Sequence, residues 1–112
     1  MAHPLYVAFV WHMHQPYYVD TLTGELMLPW LRLHATKDYL HMVNVLRDFP
    51  AIHQTINIVP SLSEQLTAYL EVGAKDRALE MSLIPAEKLR DEDKRFILSF
   101  FFSIDVDRII RL

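Results

Sequence analysis

The stretch Leu5–His14, LYVAFVWHMH, is apolar and rich in β-branched and aromatic residues until its last three positions. A continuous apolar run of this kind reads as a strand buried on both faces, as in parallel sheets. Gln15-Pro16 stops it, because proline has no N–H to give to a ladder. Side chains two apart share one face of a strand, so His12 and His14 point the same way, above Tyr6, Ala8 and Val10. Strand rise alone sets their ring-bearing carbons roughly 6 to 7 Å apart. Both stand at the carboxyl end, where parallel α/β sheets and barrels build their active sites.

Beyond this strand, residues 17–33 contain Thr23-Gly24 and Pro29 and carry neither a helical nor a strand period. They read as one long connection, and loops of that length are more often functional than idle. From Ala35 to Phe49 the period is helical, with Tyr39, Met42, Val43, Leu46 and Phe49 on one face, and Pro50 closes the helix. Gln54–Val59 (QTINIV) reads as a second strand stopped by Pro60. Ser61 to Glu64 then has the S-x-x-E pattern of a capping box, opening a helix that ends at Gly73, a natural left-handed terminator. Lys75–Leu112 reads as two or three helices divided at Pro85, with Asp91 as a cap.

Strand, helix, strand, helix is the βαβ signature, with an expected right-handed crossover. The fold class is therefore α/β, as a single unit over residues 1–112. Two strands are too few for a stable parallel sheet, and both would leave open edges. The expectation is a fragment, or a unit that needs another chain.

Composition narrows the function. The 112 residues are 52% apolar or aromatic, with 11 basic and 14 acidic groups and a net charge of −3. Disorder is excluded by that apolar content, and scattered cations without a basic stripe make nucleic acid a poor partner. There is no cysteine, which removes disulfides, thiolate nucleophiles and Cys-ligated zinc. Only 2 glycines occur, where average usage predicts roughly 8. The N-terminal apolar run is too short to span a membrane and lacks a basic flank or small-residue cleavage site. A cytoplasmic protein with no membrane association is expected.

Two imidazoles at a strand end can hydrogen-bond sugar hydroxyls, bind a metal or relay protons. A single histidine in such a place is more often a satisfied, partly buried residue, but the long aromatic connection that follows, with Tyr17 and Tyr18, favours function. In Leu28–Tyr39 (LPWLRLHATKDY), Trp30 offers a stacking platform for a pyranose and Arg32 a fork of donors; taken alone, both equally suit packing and a salt bridge. Asn57, on the same face as Thr55 and Val59, is a polar amide in a buried run and needs partners. It could orient a catalytic neighbour or serve structure. Carboxylates are badly placed for glycoside hydrolysis, which uses a pair about 5 to 5.5 Å apart in retaining enzymes. Asp20, Glu25, Asp38, Asp48, Glu64, Glu71 and Glu80 lie in the loop or on helices, none at a strand end beside the histidines.

WHMHQPYY (Trp11–Tyr18) resembles the first conserved region of glycoside hydrolase family 57. LPWLRLHATKDY, TINIVPSLSEQL (Thr55–Leu66) and the tail around Ile84–Phe102 also resemble the family's amylase-like members, so the likeness covers nearly the whole chain. The resemblance implies an incomplete (β/α)7-barrel, of which this chain would be the first two βα units followed by extra helices. It also implies retaining chemistry on an α-glucan or oligosaccharide, by hydrolysis or glucanotransfer, with no obligatory metal or other cofactor. His12 and His14, with Gln15, match the family's sugar-binding region. Trp30, Arg32 and His34 fall in a segment the family keeps near the same mouth. The family's nucleophile and acid/base lie on later strands, so this chain carries no catalytic carboxylate and the remainder of the barrel is expected to be missing. Leu40-His41 departs from the family, which would have an aromatic and an acidic residue there. Two rivals stand beside this reading: a metal-dependent hydrolase of the amidohydrolase type, using His12 and His14 as ligands, and a non-catalytic carbohydrate-binding fragment.

Overall fold

The structure is a computed structural model that describes residues 3–105 and 107. Two short parallel strands form its sheet: β1 (Val10–Met13) and β2 (Thr55–Ile58), paired as Val10 with Thr55, Trp11 with Ile56, His12 with Asn57 and Met13 with Ile58. The expected α/β class and parallel pairing are present. β1 is much shorter than the apolar run that announced it. Residues 3–9 take no regular structure, and Leu5 and Tyr6 are 88% and 87% exposed. A strand needs ladder partners, and no described strand lies on the far edge of β1.

The connection after β1 is shorter than the sequence suggests. Tyr18–Met27 folds into a tight hairpin, with Met27 N–H donating to Tyr18 O at 3.0 Å and Asp20 N–H to Glu25 O at 2.9 Å. The Asp20 carboxylate accepts the Leu22 amide at 2.8 Å, and Gly24 supplies the positive φ of 76° that the turn requires. Helix begins directly after Pro29, five residues earlier than the period indicates. α1 (Trp30–His34) runs through a π-helical turn, Ala35–Tyr39, into α2 (Leu40–Leu46).

α3 (Pro60–Thr67) starts on Pro60, whose missing N–H costs nothing in a first turn. It continues as a second π-helical turn, Ala68–Val72, and stops at Gly73 in the left-handed region (φ 70°), as expected. The capping box is not formed. Ser61 Oγ instead donates to Gln15 O at 2.9 Å, and Glu64 accepts from Tyr17 Oη at 2.8 Å, so both side chains face the β1 exit rather than their own helix. α4 (Arg77–Leu83) is capped by Asp76, which accepts the Leu79 amide at 2.8 Å. α5 (Asp91–Phe101) follows the expected break at Pro85. Asp93, not Asp91, ties down its start by accepting the Arg90 amide at 3.0 Å. The helix expected to reach Leu112 lies partly outside the described residues.

The helices cover one face of the sheet. Met13, Leu31 and Leu62 are buried together, with Tyr18, Tyr39, Met42, Ile56, Val59, Leu66 and Tyr69 packed around them. The opposite face, bearing Val10, His12, His14, Thr55 and Asn57, is exposed. The chain measures 73 × 39 × 25 Å, with a radius of gyration of 19.3 Å, against about 13 Å for a compact chain of this length. Its accessible surface is 9235 Å², well above the roughly 6,400 Å² of a folded monomer of its mass.

Candidate functional site

The parallel register puts His12 of β1 directly beside Asn57 of β2, and neighbours in register share a face of the sheet. His12 Nδ1 lies 2.6 Å from Asn57 Oδ1. His14, two residues on, stacks its ring on that of His12 with centroids 5.9 Å apart and planes 20° from parallel. The two imidazoles thus form one exposed aromatic and hydrogen-bonding surface at the carboxyl end of β1, on the face that the helices leave bare.

The backbone beneath this surface is held from several directions. Tyr39 Oη donates to His14 O at 3.1 Å, Gln15 Nε2 donates to Tyr39 Oη at 3.0 Å, and Gln15 Oε1 accepts from Tyr18 Oη at 2.8 Å. The Gln65 amide, buried on α3, donates to Pro16 O at 2.9 Å and to Ser61 O at 2.6 Å, and accepts the Tyr18 amide at 2.8 Å. Gln15 is itself buried, and both ends of its side-chain amide are hydrogen-bonded within the chain, to Tyr39 and Tyr18. Burial and the neighbouring Tyr39 raise the Tyr18 phenol above its usual range, and the Glu64 hydrogen bond does the same for Tyr17. Both phenols stay protonated and remain donors.

The other three residues singled out in the sequence divide between two places. His34 stacks on Tyr39, with centroids 6.4 Å apart, and its Nδ1 lies 2.5 Å from Asp38 Oδ2. It therefore reaches the His14 backbone through a single tyrosine. Trp30 packs against Phe100 at 6.1 Å, and Arg32 donates to the fully buried Asp76 at 2.8 Å through Nε. Trp30 and Arg32 line a largely apolar groove of ≈ 450 Å³ with Leu33, Ala78, Phe100 and Phe101, set apart from the histidine pair. Burial would raise the Asp76 carboxyl. The hydrogen bonds from Arg32, the Leu79 amide and Tyr69 outweigh it and hold the group below the usual carboxylate range.

Among the described residues, no group of three or more His, Asp or Glu side chains gathers in a geometry that could hold a metal. No described helix is long and apolar enough to cross a membrane. The model of the glycosyl hydrolase family 57 matches residues 8–104. The chain belongs to glycosyl hydrolase family 57. No curated protein and no solved structure matches it.

Family 57 membership assigns the chain, at that level, to glycoside hydrolysis and to carbohydrate substrates. It takes in the histidine pair, the Leu28–Tyr39 segment and the Asn57 strand together. The amidohydrolase alternative is not favoured by this match. Several described carboxylates are engaged in structural bonds: Asp20 in its own turn, Asp38 with His34, Glu64 with Tyr17, Asp76 with Arg32 and Asp93 with Arg90. The sequence reading missed two residues that hold the site's backbone, Tyr39 and Gln65, and one that ties the outer helices together, Asp76. Tyr39 was legible only as one more residue on an apolar helix face. Gln65 looked like any polar helix position. Asp76 did carry a signal, since an aspartate just before a helical period is a standard N-cap.

Proposed function

We propose that this chain is the N-terminal part of a (β/α)7-barrel, its first two βα units and following helices, in a retaining α-glucan-active glycoside hydrolase or glucanotransferase. His12 and His14 bind the sugar ring at the cleavage subsite, and the nucleophile and acid/base come from later strands. The observation that carries this reading is the stacked imidazole pair at the carboxyl end of β1, on the sheet face that a barrel turns inward. Neutral imidazole offers both a donor and an acceptor, which suits the hydroxyl pairs of a pyranose. The rigid brace of Gln15, Tyr39 and Gln65 under the pair fits a binding surface that must not yield. His34, one tyrosine away, supports the same mouth. Trp30 and Arg32 serve this reading by packing the outer helices. The bare strand face and open edges match a sheet that continues in further strands, and a cytoplasmic location is part of the same proposal.

Replacing both histidines by alanine in the intact enzyme tests the proposal. Each lost hydrogen bond is worth about 1.5 kcal/mol, so turnover of maltoheptaose should fall roughly 100-fold with the melting temperature unchanged. Kinetics equal to those of the parent enzyme would remove the assignment. Binding of maltoheptaose without any turnover by the intact protein would instead favour a carbohydrate-binding module.

A further inference from the structure

His12 has two ring nitrogens, and in the neutral ring one is a donor and the other an acceptor. Which is which decides what the residue can offer a ligand, and the partner of the first nitrogen sets the second. In this structure the atom facing Nδ1 is Asn57 Oδ1, at 2.6 Å. A carboxamide oxygen can only accept, so Nδ1 carries the hydrogen, and in the neutral ring that leaves Nε2 with its lone pair.

Asn57 is held in place for this role by the fold itself. It sits opposite His12 in the parallel register. The ladder is pinned on either side by Thr55 N–H donating to Phe9 O at 3.1 Å and Val59 N–H donating to Met13 O at 3.3 Å. The stack of His14 on His12 fixes the plane of the ring. Neither element alone aims the imidazole: the stack sets its tilt, and the amide sets its spin and its proton. Asn57 is exposed and belongs to no part of the buried core, so packing does not explain an amide at this point of a β-branched strand.

We infer that Asn57 is a positioning residue, which locks His12 in the Nδ1–H tautomer and thereby makes Nε2 a hydrogen-bond acceptor for a carbohydrate hydroxyl. The inference rests on the reading of His12 as a sugar-binding residue, and adds to it the direction of the bond: the sugar donates and the histidine accepts.

Two readouts on the intact enzyme test it. The first is the solid-state 15N spectrum of histidine-labelled enzyme at pH about 9, above the usual imidazole range, with the His12→Gln variant used to assign the signals. The expected pattern for His12 is a pyrrole-type Nδ1 and a pyridine-type Nε2. Asn57→Leu should abolish that pattern in favour of a mixture, and Asn57→Asp, which keeps an accepting oxygen, should retain it. The second is turnover of maltoheptaose: Asn57→Leu should lower kcat/KM roughly tenfold, the worth of one hydrogen bond, at an unchanged melting temperature, and Asn57→Asp should recover most of the loss. A pyridine-type Nδ1 in the parent enzyme, or a tautomer indifferent to Asn57→Leu, overturns the inference and leaves the His12 assignment standing. A shifted tautomer with unaltered kcat/KM also overturns it. If His12→Ala is silent as well, the failure lies with the proposed function rather than with Asn57.

Discussion

Asp76 is the residue on which the outer helices converge. Its carboxylate, fully buried, accepts from Arg32, from Tyr69 Oη at 2.9 Å and from the Leu79 amide. Removing one partner of a buried pair leaves the other uncompensated, so Asp76→Asn should cost the intact enzyme about 3 kcal/mol, read as a lower melting temperature. A change within error would show that the pair is replaceable. The acid side has a definite sign. The folded carboxyl lies below its usual value, so its stabilisation is fully present above the unfolded pKa of about 3.9. It is lost as pH falls through the lower folded value. The Asp76→Asn variant should therefore lose less stability than the parent between about pH 4 and more acid conditions, which a pH series of melting curves would reveal. Residue chemistry was legible where spacing alone fixes it. His12 and His14 share a face because they are two apart, and the structure brings their rings together. Arg32 was not, since its partner lies 44 residues away and no local pattern names it.

At the scale of the element, the segment from Trp30 shows why a helix can hide. Trp30 turns to Phe100, Leu31 to the core and Arg32 to Asp76. With partners on three sides, the first turn has no single apolar stripe for a periodic reading to find. The stop at Gly73 was legible because a positive φ has so few residues that tolerate it. An added Cβ there would meet no other atom within 4 Å, so Gly73→Ala should cost only the backbone strain, about 1 kcal/mol. A much larger loss in a denaturation curve would mean that the turn does more than end a helix. The failed capping box has a geometric cause, because α3 begins one residue before Ser61 and Ser61 Oγ finds Gln15 O instead. Gln65, buried 1% exposed on α3, braces Tyr18 and Pro16 from below. Gln65→Leu should orphan these backbone groups and cost about 2 kcal/mol. It should also raise KM for maltoheptaose through loosening of the His14–Tyr18 backbone. An unchanged KM would separate the brace from the site.

For the whole molecule, the decisive quantity is uncovered apolar surface. Leu5, Tyr6, Val7, Phe9 and Val10 stand in solvent along β1 and its approach, as do Leu70 and Val72 on the π-helical turn and Phe102 just past α5. The 112-residue chain on its own should bind a hydrophobic dye strongly and unfold without a sharp transition, as loosely packed states do. A cooperative melt with no dye binding would contradict this. The parallel class was legible because apolar runs and proline stops are local signals. The extent of β1 was not, because a strand is defined by its neighbours as much as by its own side chains. The parallel register has a further result, in time rather than in space. His12 and Asn57 are 45 residues apart, and their contact closes a loop that encloses α1 and α2, which makes it entropically costly and slow relative to local helix formation. During refolding, the helices between the strands should gain protection from solvent exchange before Thr55 does, and the imidazole of His12 should come to rest in the same kinetic phase as the Thr55 amide. The His12–Asn57 contact would then be assembled by the last local step of this unit, so that a chain with an unformed ladder holds its helices but leaves that imidazole without a fixed direction.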